Sequence, residues 1–548
     1  MLKKTNLLLF AISMIVLTSC SEDFLETKPT DAISSADALA TASNMGLVIQ
    51  GLHRGLYSQS QTILPGGNTA RAGEHYWVPL GDNIAGGVLH SAPANNLSWQ
   101  NETRWISHTQ ETSLTTELLW YHRYNIIASA NAIINKATDG DIPLDAKLKE
   151  ILGQAYTYRA YAYLSLVQHY AKGYLIGNPS TDPGVPLLFS SEAPFESGPR
   201  ATVQEIYDQC MSDINAAIGY FNDGATSRPS GSAAGKAELN VDVANGIKAR
   251  IALNSGQWRI AADAAKLARS SYPLMGEDDY KKGFNTTLLP EVIWGSNVID
   301  AETTFFRSYF YLISNTFNGS QNRGNPKFID KRLYNAIPDS DYRKDLFLAD
   351  APNTNRSASN NQGGFGNDPN YTDQAAFNAK RAEYRAQYGW GSSHNSHPYM
   401  HVKFLNKNPN SIDPDDIIYM RSSEMYLIEA EAEAMLNNVA AAQVALKALG
   451  EARDANYDVS IYASQSSLMD HIKFQRGIEL WGEGFLYVDK IRWDEGIDHT
   501  SNGGSGASEV LYQNGFSQAK PSLNNDWIFK IPQKELDANP NLGPSDQN

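Results

Sequence analysis

Apolar residues recur with a 3.6-residue period along three stretches of the first half of the chain. Residues 117–137 carry Leu118, Leu119, Tyr121, Tyr124, Ile127, Ala130, Ile133 and Ile134. Residues 145–171 repeat the pattern with Leu148, Leu152, Ala155, Tyr158, Ala162, Leu166 and Tyr170, and residues 202–221 with Val203, Ile206, Cys210, Ile214, Ala217 and Phe221. Side chains three and four positions apart share one helix face, so each stretch predicts an amphipathic helix. Residues 241–270 predict two more helices around Gly256. Small residues such as Ala132, Ala155, Ala160, Ala249, Ala261 and Ala265 recur among the large ones. Paired helices with that alternation predict degenerate tetratricopeptide-like stacking.

The helical period returns at 417–436, 439–454 and 465–481. In the first of these, Ile418, Met425, Ile428, Ala432 and Met435 fall on one stripe. Glu424, Glu429, Glu431 and Glu433 lie largely off it, which predicts a solvated acidic face. Between the helical parts, residues 272–416 lose the period, apart from a predicted strand at Val292 to Val298. Asn, Gly, Pro and Ser punctuate 353–370, 389–397 and 406–416. A shorter irregular segment, residues 58–113, contains Trp77, Trp99 and Trp105. Long irregular stretches inside a compact protein are commonly functional. Asp413, Asp415 and Asp416 are expected to cap the helix starting near 417. His394, His397 and His401 follow neither a helical nor a zinc-ligand spacing, and Pro398 interrupts them. They read as loop histidines, and no metal or cofactor is expected.

The N-terminus changes the picture. Lys3 and Lys4 precede an apolar run from Leu7 to Leu17, too short for a membrane span of about 20 residues. It ends in Leu17-Thr18-Ser19-Cys20, which resembles a bacterial lipobox. Residues 1–19 are then a signal peptide, Cys20 the lipidated first residue, and residues 20–40 a tether carrying Ser21-Glu22-Asp23, which is similar to a surface-export signal. Acyl chains hold such a protein on a membrane. Cys20 is thereby used, and Cys210, the second cysteine, is expected to be an inert core thiol.

Composition excludes some partners. The 548-residue chain has a formal charge of −15 and no basic run, which argues against nucleic acid. Its 28 Tyr and 10 Trp supply flat, half-polar surface beyond what a core requires.

Ordered motifs then point to a family. Gln475-Arg476-Gly477-Ile478-Glu479-Leu480-Trp481-Gly482-Glu483-Gly484, followed by Asp489, Arg492 and Trp493, resembles the C-terminal signature of the SusD/RagB outer-membrane lipoproteins. Gln475 departs from the acid usual there, and Phe485-Leu486-Tyr487 lacks the usual basic residue. Met420 to Ala432, Arg159 to Leu164 with Gly184-Val185-Pro186-Leu187, Trp120 with Tyr124 and Asn131, and Ile531-Pro532 with Asn539-Pro540 also resemble family segments. The resemblance implies a mainly α fold: a right-handed superhelix of four tetratricopeptide-like helix pairs with a large loop-rich binding lobe. It divides the chain into an N-terminal helical region, 41–271, with its loop insertion at 58–113, and a C-terminal region, 272–548. The latter holds the lobe at 272–416, helices at 417–493 and a tail. It implies binding of an oligosaccharide rather than catalysis, and hand-off to a SusC-like TonB-dependent outer-membrane transporter.

Sugars present an apolar C–H face that stacks on aromatic rings, and hydroxyls that need amides or charged groups at the edge. Trp99 and Asn101 supply that pair in the first irregular segment, with Trp77 beside them. In the lobe the candidates are Tyr311 and Phe317, where the resemblance implies a platform, and Trp390 between two glycines. A peptide ligand is the alternative. A glycosidase would need a carboxylate pair across a cleft, and no motif points to one.

Overall fold

The computed structural model describes residues 35–59, 71–90, 100–190, 197–224, 232, 235–303, 306–354, 363–368, 370–499 and 517–548. The expected signal peptide, Cys20 and Trp99 lie outside the described residues.

Helices form where the 3.6 period runs, and also at Glu74–Ile84, inside the 58–113 segment that the sequence reads as irregular. The first is α1 (Ala42–Gly55), followed by α2 (Glu74–Ile84), α3 (Leu114–Thr138), α4 (Ala146–Tyr170) and α5 (Val203–Gly224). Next come α6 (Val241–Asn254) and α7 (Trp258–Arg269), with Gly256 left-handed between them at φ +73°. Polar side chains fix the starts: Ser113 accepts from the Thr116 N–H at 3.2 Å, Asp145 from Leu148 at 2.8 Å and Asn240 from Val243 at 3.0 Å. Each helix from α3 to α7 packs on the next, as helical repeats do.

The lobe follows. It contains a short helix α8 (Tyr309–Ile313), a helix α9 (Gln374–Tyr388) and small strands. Strand β1 (Leu89–His90) joins β3 (Lys327–Phe328), β4 (Phe347–Leu348) and β5 (Met400–His401) in an antiparallel sheet ordered β1-β3-β5-β4. Strand β2 (Val292–Ser296) pairs antiparallel with β6 (Ile417–Arg421), Val292 facing Arg421.

The chain then returns to the stack. Helix α10 (Ser422–Met435) packs on α7, on α11 (Val439–Glu451) and on α12 (Gln465–Glu479); α13 (Leu486–Trp493) packs on α2. The lobe is thus an insertion whose two ends are tied together by the β2–β6 pair. No helix of the described residues is long and apolar enough to cross a membrane.

Two expectations are corrected here. Residues 417–421 form a strand, and the helix begins at Ser422. A short, wholly buried apolar run fits either state, and pairing with β2 decides it. Asp415 and Asp416 therefore cap no helix: Asp416 accepts from the Thr287 N–H at 2.9 Å, and Asp415 from Lys407 at 3.0 Å. The glutamates of α10 are not a solvated face either. All four are buried, and each meets an arginine: Glu424 with Arg250, Glu429 with Arg269, Glu433 with Arg259, and Glu431 with Arg492. The helix is covered on its polar side as well, so each carboxylate needs a cation.

Candidate functional site

The segment after α1 shapes a surface with the segment before α8. The Arg54 guanidinium reaches Glu302 at 3.2 Å, and the Tyr57 hydroxyl donates to the same carboxylate at 2.6 Å. The Gln59 amide donates to the Phe306 carbonyl at 3.0 Å. Held this way, Phe306 is 44% exposed, with its ring packed on Tyr311 at 5.3 Å between centroids. Arg307 takes a left-handed backbone, φ +64°, and its guanidinium lies 5.0 Å from the Phe306 ring centroid. That conformation is uncommon for a residue with a Cβ and marks a position held by its surroundings.

A second arginine stands nearby. Arg71 Nη1 lies 3.7 Å from Glu102, whose carboxylate also accepts from the hydroxyls of Tyr76 at 3.2 Å and Thr115 at 2.8 Å. Burial lowers the Arg307 pKa, and the charge of Arg71 lowers it further. Arg307 Nε and Nη1 and Arg71 Nε are shielded from water and have no hydrogen-bond partner among the described residues. A guanidinium N–H held in this way is an unused donor. Asn101, on the short helix Gln100–Thr103, is exposed and immediately precedes Glu102. The surface therefore joins a part-exposed aromatic ring, two guanidiniums and an exposed amide.

The other expected residues lie elsewhere. Tyr311 and Phe317 are core residues with no open face, packed edge to face on each other at 6.1 Å. Trp390 is buried against Tyr388, their rings 5.8 Å apart and 19° from parallel. These three rings therefore cannot serve as open platforms. Among the described residues of that stretch, Phe306 is the exposed aromatic, and sequence reasoning passed over it. The signal was Ser308, which caps α8 through the Tyr311 N–H at 3.4 Å and so leaves Phe306 outside the helix. Trp77 faces inward, onto a cavity of about 140 Å³. Three ion pairs line that cavity: Glu74–Arg123 at 2.6 Å, Arg250–Glu424 at 2.7 Å and Arg476–Asp489 at 2.8 Å. Trp105 is buried and donates to the Ile84 carbonyl at 3.0 Å. The three histidines are backbone-bound: His394 to Phe317, His397 to Pro398 and His401 to Ile313.

Behind the lobe lies a fully buried ionic network. Glu479 meets Arg421 at 2.6 Å, Arg343 at 2.8 Å and Arg453 at 3.1 Å. Glu483 meets Arg421 at 2.7 Å and Lys403 at 2.6 Å. Glu291 meets Arg421 at 2.8 Å and Arg453, and Asp341 meets Arg343 at 2.6 Å. Four cations face four carboxylates, so the cluster is neutral as a whole. Gln475 accepts from Arg343 at 2.8 Å. An amide suffices there, because Asp341 and Glu479 already balance that arginine.

Comparison with known proteins places this framework. A model described as the SusD family matches residues 278–548, and one described as starch-binding and associating with the outer membrane matches residues 80–237. The chain belongs to the SusD/RagB family. A SusD-like protein of Formosa agariphila is 28% identical over 213 residues, which span 38% of this chain and 36% of that protein's length. A SusD superfamily protein of Bacteroides thetaiotaomicron superposes with a TM-score of 0.70 at 22% identity, over 93% of this chain and 99% of the other. Surface glycan-binding protein A of the same organism, solved with laminarihexaose, gives 0.62 at 16% identity, over 91% and 98% of the two chains. At such identities the structures establish a shared SusD fold. The SusD signature holds Glu479 and Glu483 of the buried network and Arg476 of the cavity, so it is a framework motif rather than a ligand site.

Proposed function

We propose that this SusD/RagB protein is a lipid-anchored glycan receptor of the outer membrane. In this reading Cys20 carries the lipid, and the protein captures oligosaccharide at the cell surface and passes it to a SusC-like TonB-dependent transporter. One observation carries the ligand class: the part-exposed Phe306 ring stands with the guanidiniums of Arg307 and Arg71, an aromatic surface beside cationic donors of the kind a sugar uses. The laminarihexaose held by surface glycan-binding protein A supports it by analogy of fold. Asn101 remains a proposed contributor at the edge of the same surface, and Trp99, outside the described residues, remains a proposed contact on its sequence alone. Trp77, Tyr311, Phe317 and Trp390 contribute through packing.

A glycan array probed with the detergent-solubilised protein tests the reading, followed by titration of Phe306→Ala/Arg307→Ala with the glycan bound. At least tenfold weaker binding is expected. Undiminished binding by the double variant would remove the site, and release of reducing ends over time would replace a receptor by an enzyme.

A further inference from the structure

A second concavity opens in the lobe, sharing no residue with the Phe306 surface. It is a cleft of about 820 Å³, within the range of roughly 300–1,000 Å³ usual for small-molecule sites. Its floor is the edge strand β4, held to the sheet by Tyr399 N–H to Leu348 O and Val402 N–H to Leu346 O, both at 2.8 Å. One wall is the C-terminal end of α9, where Tyr384 and Tyr388 stand four residues apart on one face. Tyr334 comes from a separate short helix, Lys331–Ala336.

The rings form an aromatic wall, with Tyr384 tilted 39° to Tyr388 and the Lys380 and Lys344 ammoniums 5.1 Å from the Tyr384 and Tyr334 ring centroids. Tyr388 rests one face on buried Trp390, and Tyr384 follows it at 6.1 Å. All three tyrosines are half-buried. The Gln387 amide donates to the Tyr388 hydroxyl at 3.1 Å, which leaves that hydroxyl its own proton to donate. The charges of the lining are already answered: Lys281 by Asp345 at 2.8 Å, Lys344 by Asp339 at 2.6 Å, Asp350 by Lys380 at 3.4 Å. An ionic ligand would have to break one of these pairs. An extended peptide would find only a two-residue strand to pair with. What remains is a neutral molecule with apolar C–H faces and many hydroxyls.

We propose that this cleft is a second binding site for neutral oligosaccharide, built on Tyr384 and Tyr388 with Tyr334 opposite. It extends the receptor reading above and rests on it. Two sites on one chain hold a polymer more tightly than either alone, because the second contact is intramolecular.

The test uses a panel of maltohexaose, cellohexaose, laminarihexaose and xylohexaose, with saturation-transfer NMR on the detergent-solubilised protein. Phe306→Ala/Arg307→Ala is expected to retain binding of at least one member. Adding Tyr384→Ser/Tyr388→Ser is expected to weaken that residual binding at least tenfold. Tyr334→Ser, on its own helix, is expected to do the same and guards against misfolding of α9. Loss of all panel binding in Phe306→Ala/Arg307→Ala alone would overturn the second site and leave the first standing. Residual binding that survives the tyrosine changes would also overturn it. Silence of the unaltered protein on the panel, with acidic glycans bound on the array, would overturn the second site only. Silence on panel and array together would overturn both.

Discussion

Arg421 Nη1 and Glu479 Oε1 stand 2.6 Å apart with both side chains shut away from water. Arg343 and Arg453 reach the same carboxylate, so three guanidiniums share one acid. Taking Glu479 to Gln leaves those cations short of a counter-charge in a place where water cannot replace it. The expected loss is roughly 3–5 kcal/mol, the range for breaking a buried ion pair from one side. Denaturant unfolding of Glu479→Gln checks it. Exposed pairs such as Lys147–Glu150 are expected to contribute less than ~1 kcal/mol.

The same network sets the acid limit. Burial alone would raise the Glu479 pKa, but the charges of Arg453, Arg421 and Arg343 outweigh it and hold the carboxyl well below the usual range. Glu483 and Asp489 are lowered in the same way by their own basic partners. A carboxyl depressed in the fold stabilises it above the unfolded value, about 4. That stability is lost as pH falls from there through the folded value. The contribution of these carboxyls is therefore expected to hold steady above about pH 5 and to fall steeply below about pH 4. Glu479→Gln is expected to flatten that slope, read from unfolding curves across the acid range.

Lys327 behaves in the opposite sense to an ordinary lysine. It is buried on β3, and no carboxylate pairs with it among the described residues. Burial lowers its pKa to about 7. In the unfolded chain it binds a proton up to about pH 10. Between those values the unfolded state holds more protons, so stability should rise with pH from about 7 to about 10. Lys327→Met is expected to remove that rise and to stabilise the fold at neutral pH by a few kcal/mol, on the order of the cost of a buried charge. Unfolding free energies at pH 6, 8 and 9.5 would decide it, and a retained slope would contradict it.

Much of the helical frame was legible in the sequence, because stripes such as Val203, Ile206 and Cys210 are read directly from spacing. Helix α9 was not, since Phe377 is its one fully buried residue and a helix without an apolar stripe has no period to find. The α10 acids were misread because the sequence does not tell that Arg250, Arg259 and Arg269 arrive on their side. In the stretch around Phe306 the rings chosen as open platforms, Tyr311 and Phe317, are buried. Tyr309 to Ile313 form a buried helix, and exposure is decided one turn earlier. Trp390 was misjudged similarly: flanking glycines suggested exposure, yet it packs behind Tyr388.

Gly484 joins the signature to α2. Its φ is +89°, and an added Cβ would come within 2.4 Å of the Val78 carbonyl oxygen. Both the backbone conformation and the contact exclude a side chain. Gly484→Ala is expected to destabilise by more than ~1 kcal/mol. It should also open the α2–α13 contact, seen as faster hydrogen exchange in both helices.

Cys210 provides a reporter of global unfolding. Its side chain is fully buried on the inner face of α5, and burial pushes its thiol pKa well above the ordinary value. The thiolate is the reactive species, so both access and ionisation are withheld in the folded state. With Cys20 acylated, as proposed above, Cys210 is the one free thiol. It is expected to resist a thiol reagent such as dithiobisnitrobenzoate under native conditions. Labelling should appear only across the denaturation transition, at the midpoint given by tryptophan fluorescence. Rapid labelling without denaturant would mean that α5 opens locally and that the helical stack is not a single cooperative unit.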